Sequence, residues 1–187
     1  GSCVSNLHSA GADLDLTLVL PAGCEPPMEK QRTMITQLAS VLEESGEFAS
    51  VVARPKARVP IVALEDASTG LKSDICMNNS LALINSRLLR TYVRLDERVR
   101  PLVFVVKKWA KARSINSPYR GTPSSYAYVL LVIHYLQTVT PPVLPVLQQI
   151  AGGAWAESAE TMLAQTHDGR AFDCTYCADS EGLRDAG

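Results

Sequence analysis

Two aspartates stand one residue apart in an otherwise apolar run, GADLDLTLVL, and that pattern leaves the chain few ways to fold around it. Leu14, Leu16 and Leu18 alternate with Asp13, Asp15 and Thr17 at the period of two that a half-buried strand demands. The two carboxylates therefore share one face. Cα atoms at i and i+2 lie roughly 6.5 to 7 Å apart, so both side chains can lean onto a pair of cations about 3.5 to 4 Å from each other. Like charges so placed repel unless something positive sits between them. Taken by itself, Asp-Leu-Asp also reads as a polar strand face in water.

The chain has 187 residues, 47% of them hydrophobic, enough for one large domain or two small ones with a real core. A formal net charge of −1 argues against a polycationic nucleic-acid coat or an acidic tail. Charge is nevertheless unevenly spread. Arg87 to Arg120 holds ten Lys or Arg against Asp96 and Glu97, a basic stripe suited to phosphates or to a solvated helix face. Five cysteines, an odd number, with no signal peptide at the start, point to reduced thiols inside a cell. Cys174 and Cys177 have C-x-x-C spacing with His167 nearby, but no second pair completes a tetrahedral zinc site. The longest apolar run, YVLLVIHYL, is well short of a bilayer span, so no membrane partner is expected. It reads as a buried helix in which His134 is satisfied or faces solvent.

Along the chain, a loop PAGCEPP follows the first strand, and Pro26-Pro27 can open a helix. Met34, Ile35, Leu38, Val41 and Leu42 repeat at helical spacing as far as Gly46, a C-terminal stop. FASVV, RVPIVALE and LKSDICM then read as strands, the last two parted by the turn-former DASTG. Residues 1 to 78 thus form a small mixed sheet with a helix on one side. In LKSDICM, Leu71, Ile75 and Met77 take one side and Lys72, Asp74 and Cys76 the other. If that strand lies near the first, three aspartates converge, and charge at a strand centre needs a partner or a metal.

From residue 79 the period becomes helical. NSLALINSRLLRTYVRL places Leu81, Ile84, Leu88 and Tyr92 on one face, and the next helix places Leu102, Val105, Val106 and Trp109 likewise. Lys107 and Lys111, four apart, share a different face. GTPSSYAYVLLVIHYLQTV opens with Thr122 as N-cap and Pro123 as first helical residue, and Pro141-Pro142 ends it. Ser124, Ser125 and Tyr126 fall in a first turn whose free N–H groups favour an anion.

Gly1-Ser2, the D-x-D strand, a third strand Asp, VKKWAK and GTPSSY, in this order and spacing, resemble the terminal uridylyltransferase and noncanonical poly(A) polymerase family of the DNA polymerase β-like nucleotidyltransferase superfamily. The likeness covers roughly residues 1 to 148 and is strongest in the helical stretch. It implies an α+β fold: a small mixed-sheet nucleotidyltransferase palm over 1–78, followed by a mainly helical, C-terminally incomplete domain over 79–187, with the nucleotide in the cleft between them. It also implies attack of an RNA 3′-OH on the α-phosphate of a ribonucleoside triphosphate, with pyrophosphate leaving. Asp13, Asp15 and Asp74 would be both catalytic residues and ligands of two Mg²⁺ ions, Mn²⁺ being an alternative; hard cations prefer such oxygens.

The resemblance assigns further roles by position. Ser2 would grip phosphate while Gly1 lets the backbone approach it; Asn85, with Ser86, would read the ribose 2′-OH. Lys107 and Lys111 would neutralise the β- and γ-phosphates, Ser125 would bond a phosphate, and Tyr126 would stack beneath the base, a contact tolerant of base identity. Ala127 stands where the family commonly has glycine. The chain resembles a fragment, beginning at the G-S motif and ending in HDGRAFDCTYCADSEGLRDAG, which resembles only the start of the family's nucleotide-recognition region. GADLDLTL and the GTPSSY helix look most like compact uridylyltransferases such as the trypanosomatid ones, so UTP is the expected nucleotide and an RNA 3′ end the acceptor. A poly(A) polymerase using ATP, and an inactive RNA- or partner-binding fragment, stay open. The expected setting is intracellular, cytoplasmic or mitochondrial.

Overall fold

The computed structural model describes residues 1–9, 11–21, 24, 26–150, 162–165 and 170–178. His167 lies outside them, as do parts of the 79–187 segment. The described residues divide into two compact units: those within 1–3, 11–85 and 163–173 form the first, and those within 4–9, 86–162 and 174–178 the second.

In the first unit, β1 (Leu14–Leu18), β2 (Phe48–Arg54), β3 (Ile61–Asp66) and β4 (Lys72–Met77) form a four-stranded mixed sheet in the order β1-β4-β3-β2. β1 runs parallel to β4, and the remaining pairs are antiparallel. A parallel pair needs a long crossover, and α1 (Met28–Glu44) lies within that connection. Helix α1 begins directly after Pro27 and ends before Gly46, whose φ of +69° is the left-handed conformation that glycine adopts without Cβ strain. Its inner face carries Ile35 and Ala39 onto Val62, Leu64 and Met77, with Val51, Ala53 and Ile75 packed around them. β2, β3 and β4 thus each give alternate residues to the helix side, as their period of two requires. Val41, expected on that face, is exposed instead, because the sheet covers only the stripe centred on Ile35 and Ala39. Leu16 and Leu18 are each 41% exposed, since β1 is an edge strand with β4 as its one neighbour. The short strands β5 (Leu163–Gln165) and β6 (Ala171–Asp173) pair antiparallel.

The turn between β3 and β4 is set by Asp66. Its Oδ1 accepts from the backbone N–H of Ser68 and Thr69 at 3.1 and 2.7 Å and from both hydroxyls at 2.7 Å. These bonds, the Thr69 hydroxyl foremost, favour the ionised form and hold the carboxyl at about 2, against an ordinary 3.8. A depressed carboxylate adds stability above its unfolded value and loses it as the pH falls through the folded one. The turn is therefore expected to weaken between about pH 4 and pH 2, and Asp66→Ala to remove that part of the acid dependence in thermal melts taken across this range.

The second unit contains the remainder of α2 (Ser80–Leu95), with α3 (Val99–Ala112), α4 (Ser125–Thr138) and the short α5 (Leu147–Ile150). Its interior gathers Leu89, Tyr92, Val99, Val103, Ala110, Val129, Val132, Ile133 and Leu136. Of the expected Leu81, Ile84, Leu88 and Tyr92 face of α2, Tyr92 is buried and the other three are half-buried, because the buried stripe runs through Ser86, Leu89 and Tyr92. On α3 it is rotated away from Val105 and Trp109, which are 65% and 51% exposed. Both helices carry apolar residues beyond one stripe, so spacing alone leaves their inner face ambiguous by about a third of a turn. Buried Tyr92 closes a polar hub: its hydroxyl accepts from Gln137 Nε2 at 2.9 Å and from the Leu147 N–H, and donates to Gln148 Oε1 at 3.2 Å. Burial pushes the Tyr92 hydroxyl up, so it stays protonated and able to donate. No helix among the described residues is long and apolar enough to cross a membrane.

Helix α4 starts later than the sequence suggests. Ser124, not Thr122, is its N-cap, the side chain accepting from the Ala127 N–H at 3.1 Å. Thr122 is occupied elsewhere: its hydroxyl accepts from the Ser117 N–H at 2.7 Å and donates to the Ser117 carbonyl at 2.9 Å, closing the loop around the 3₁₀ turn Pro118–Arg120.

Candidate active site

The parallel β1·β4 register places Asp15 directly opposite Asp74, with Asp13 two residues before Asp15 and therefore on the same face. This is the face turned away from α1: the Asp15-Asp74 row continues through Ala63 on β3 to Val52 on β2. The condition left open by the sequence, that the third carboxylate's strand lie beside the first, is met.

Asp74 is half-buried and Asp13 and Asp15 are exposed. Partial burial pushes the Asp74 carboxyl up, the negative charge of Asp13 adds to this, Arg54 opposes it, and Asp15 raises it further. Three like charges on one face with so little local compensation are a donor set in want of a cation. Gly1 stands against this cluster: a Cβ there would run into Asp15 Oδ2 and lie 2.7 and 2.8 Å from Asp15 Cβ and Cγ. Glycine is the one residue that fits, which keeps backbone rather than side chain beside the carboxylates.

Among the described residues, no three His, Cys, Asp or Glu side chains form a ready-made metal cage. A hard dication of the Mg²⁺ kind usually keeps several waters and binds one or two carboxylates together with substrate phosphates. In number, charge and oxygen chemistry the three aspartates fit such ions.

Of the other expected site residues, Ser2 and Asn85 belong to the first unit and both are half-buried. Ser86, Lys107, Lys111, Ser125 and Tyr126 belong to the second. Ser86 is buried at 7% exposure, which leaves Asn85 the more accessible of that pair. Lys107 and Lys111 share a face of α3, with Lys111 exposed and Lys107 half-buried. Lys107 Nζ donates to the Leu7 carbonyl at 2.7 Å, and desolvation pushes its ammonium down. An ammonium has three donors, so this bond orients the side chain and uses one of them.

At the start of α4, Ser125 Oγ accepts from Asn116 Nδ2 at 3.1 Å. Tyr126 beside it is 40% exposed, which frees its ring as a platform; burial of the remainder, with the charge of Cys174, pushes its hydroxyl up. Trp109 meets Tyr128 edge-on at 6.3 Å, and Tyr128 donates to the Ile115 carbonyl at 3.0 Å, so the stretch after α3 is pinned to the start of α4.

Two residues at these sites were missed. Arg54 lies two positions beyond Val52 and so shares the carboxylate face; reading FASVV two residues further would have placed it there. Asn116 had no signal, because a loop amide's partner nine residues away depends on how the loop folds.

Comparison with known proteins gives these geometries a context. Residues 1–94 match the family described as poly(A) RNA polymerase, mitochondrial-like, central palm domain. The chain is 44% identical over 153 residues to poly(A) RNA polymerase GLD2-B of Xenopus laevis, covering 80% of this chain and 29% of that protein. It is 39% identical over 158 residues to GLD2 of Homo sapiens, covering 80% and 32%. A structure of the Cid1 poly(U) polymerase superposes with a TM-score of 0.76 at 34% identity, over 97% of this chain and 51% of that one. Cid1 in complex with the UTP analog UMPNPP gives 0.76 at 33% identity, over 98% and 51%. The chain thus spans about a third of the GLD2 proteins and half of the Cid1 chains.

Proposed function

The chain belongs to the family of the mitochondrial-like poly(A) RNA polymerase central palm domain, and from that premise we propose that it carries the catalytic aspartates of a template-independent nucleotidyltransferase acting on RNA 3′ ends. The observation that carries this reading is the β1·β4 register, which sets Asp15 against Asp74 with Asp13 on the same face.

Asp13, Asp15 and Asp74 would hold two Mg²⁺ ions, whose chemistry there is to stabilise charge on the entering and leaving oxygens of an in-line phosphoryl displacement. The protein's own part is positioning and charge. Asp74, partly desolvated, faces Asp15 across one strand pair and would serve the oxygen that attacks. Lys107, oriented by the Leu7 carbonyl, and exposed Lys111 would offset the negative charge of the triphosphate. Ser125, held by Asn116, would donate to a phosphate oxygen, and Tyr126 would carry the base on its exposed ring. Asn85 would meet the ribose.

For the nucleotide, we propose ATP on the strength of the 44% identity to a poly(A) polymerase. UTP, the expectation from sequence, keeps the support of the Cid1 likeness over 97% of the chain at 34% identity. Extension of a labelled RNA by the full-length protein, with ATP and UTP offered singly, decides between them. Tyr126→Ala is expected to weaken both nucleotides alike, by roughly 1 to 3 kcal/mol, since an aromatic stack is indifferent to the base. A reversal of preference in that variant would show that Tyr126 reads the base.

A further inference from the structure

The basic stretch from Arg87 to Arg120 is only partly used by the site above, and its α2 portion has a definite geometry. Arg87, Arg90 and Arg94 follow one another at i, i+3 and i+7 and are all exposed, so they form one face of the helix over about 10 Å. Arg87 and Arg90 are both exposed, and among the described residues neither side chain makes a hydrogen bond or ion pair; the Arg87 carbonyl accepts from the Thr91 hydroxyl. Beside this face, within the same unit, is an open hollow of about 390 Å³ lined by Asn6, Val93, Glu97, Arg100, Pro101 and Phe104. Val93 lies three residues after Arg90, one turn along the helix. Arg100 is fixed in the hollow: Nε donates to the Asn6 carbonyl at 3.1 Å and the guanidinium lies 5.2 Å from the Phe104 ring centre.

We propose that this face and its hollow are a track for single-stranded RNA upstream of the reacting 3′ end, with phosphates on Arg87 and Arg90 and an unpaired base in the hollow. The inference rests on the nucleotidyltransferase reading. Guanidinium groups match phosphate oxygens two at a time, and a row of them beside a planar Arg-aromatic stack is the pairing by which single strands are held without sequence preference. Glu97 in the hollow would accept from the exocyclic amino group of an unpaired base, a donor that an aspartate or glutamate side chain lacks, so the hollow suits a base better than an acidic protein segment.

The test is direct binding of a labelled, unstructured RNA of about 16 nucleotides to the full-length protein and to the double variant Arg87→Ala/Arg90→Ala across a range of salt concentrations. Each phosphate contact in a single strand contributes about 0.7 to the slope of log K against log salt, so the double variant is expected to lose about 1.4 of that slope. Binding should weaken most at low salt. The Arg87→Lys/Arg90→Lys variant should recover the slope, since it restores both charges. An unaltered slope in the alanine double variant overturns the proposal. Loss of poly-glutamate binding with RNA binding intact overturns it in favour of an acidic protein partner. Binding is read without turnover, so failure of the nucleotidyltransferase reading would show separately, as no nucleotide addition by the unsubstituted protein.

Discussion

Asp15→Ala is expected to abolish nucleotide addition while leaving the melting temperature of the metal-free protein unchanged or slightly higher. The loss should be about 10²- to 10³-fold at least, the range for removing one group that acts on charge developing in a transition state. Stability should not follow activity down. Asp15 is exposed, and its charge raises Asp74 rather than relieving it, so in the absence of cations its removal eases a repulsion. Asp74→Ala should behave in the same way, with kcat falling much further than nucleotide affinity. The measurements are primer extension with single nucleotides, nucleotide titration, and melting with and without Mg²⁺. Mg²⁺ should raise the melting temperature of the unsubstituted protein and have less effect on either variant. Near-normal extension by Asp15→Ala would falsify the assignment of this sheet face as the catalytic one.

Ile35→Ala should do the reverse. Ile35 is fully buried at the centre of the α1-to-sheet contact, against Val62, Leu64 and Met77. Truncation of such a side chain costs about 2 to 5 kcal/mol, part transfer free energy and part cavity. For a unit of this size that is a large share of its stability. Denaturant melts should therefore show a strongly lowered midpoint, while the fraction still folded at low temperature keeps its kcat. A cost under about 1 kcal/mol would mean that the helix and sheet close over the gap, and that this contact is not the stabilising centre of the first unit. The two substitutions together separate the two faces of one sheet: one face is packed for stability and the other carries charge at stability's expense.

Much of this was legible in the linear sequence, for a reason of period. A strand repeats every two residues, so DLDLTL could put both carboxylates on one face, and LKSDICM could put Asp74 opposite its apolar side, before any pairing was known. Proline and glycine fixed the ends of α1 through restrictions local to each residue, and the structure places them at Pro27 and just before Gly46. The family likeness added the proposed activity class, because motifs in a fixed order carry what their periodicity does not.

Other features needed the folded chain. No local rule says which strand lies beside β1. That β4 does, although 53 residues separate Leu18 from Lys72, comes from the crossover through α1 and the sheet order, and only this brings Asp74 to Asp15. The inner faces of α2 and α3 could not be read from helices with apolar residues on more than one side, because burial is decided by what packs against them; Val105 and Trp109 are therefore exposed where spacing alone would have buried them. At α4, Thr122 and Ser124 are both good caps by type. The choice fell to Ser124 because the Thr122 hydroxyl is taken by Ser117, across a loop whose closure no residue in it announces. The sequence by itself determined which side chains share a face within each element; only the tertiary structure decided which faces meet, because that depends on contacts between residues far apart in the chain.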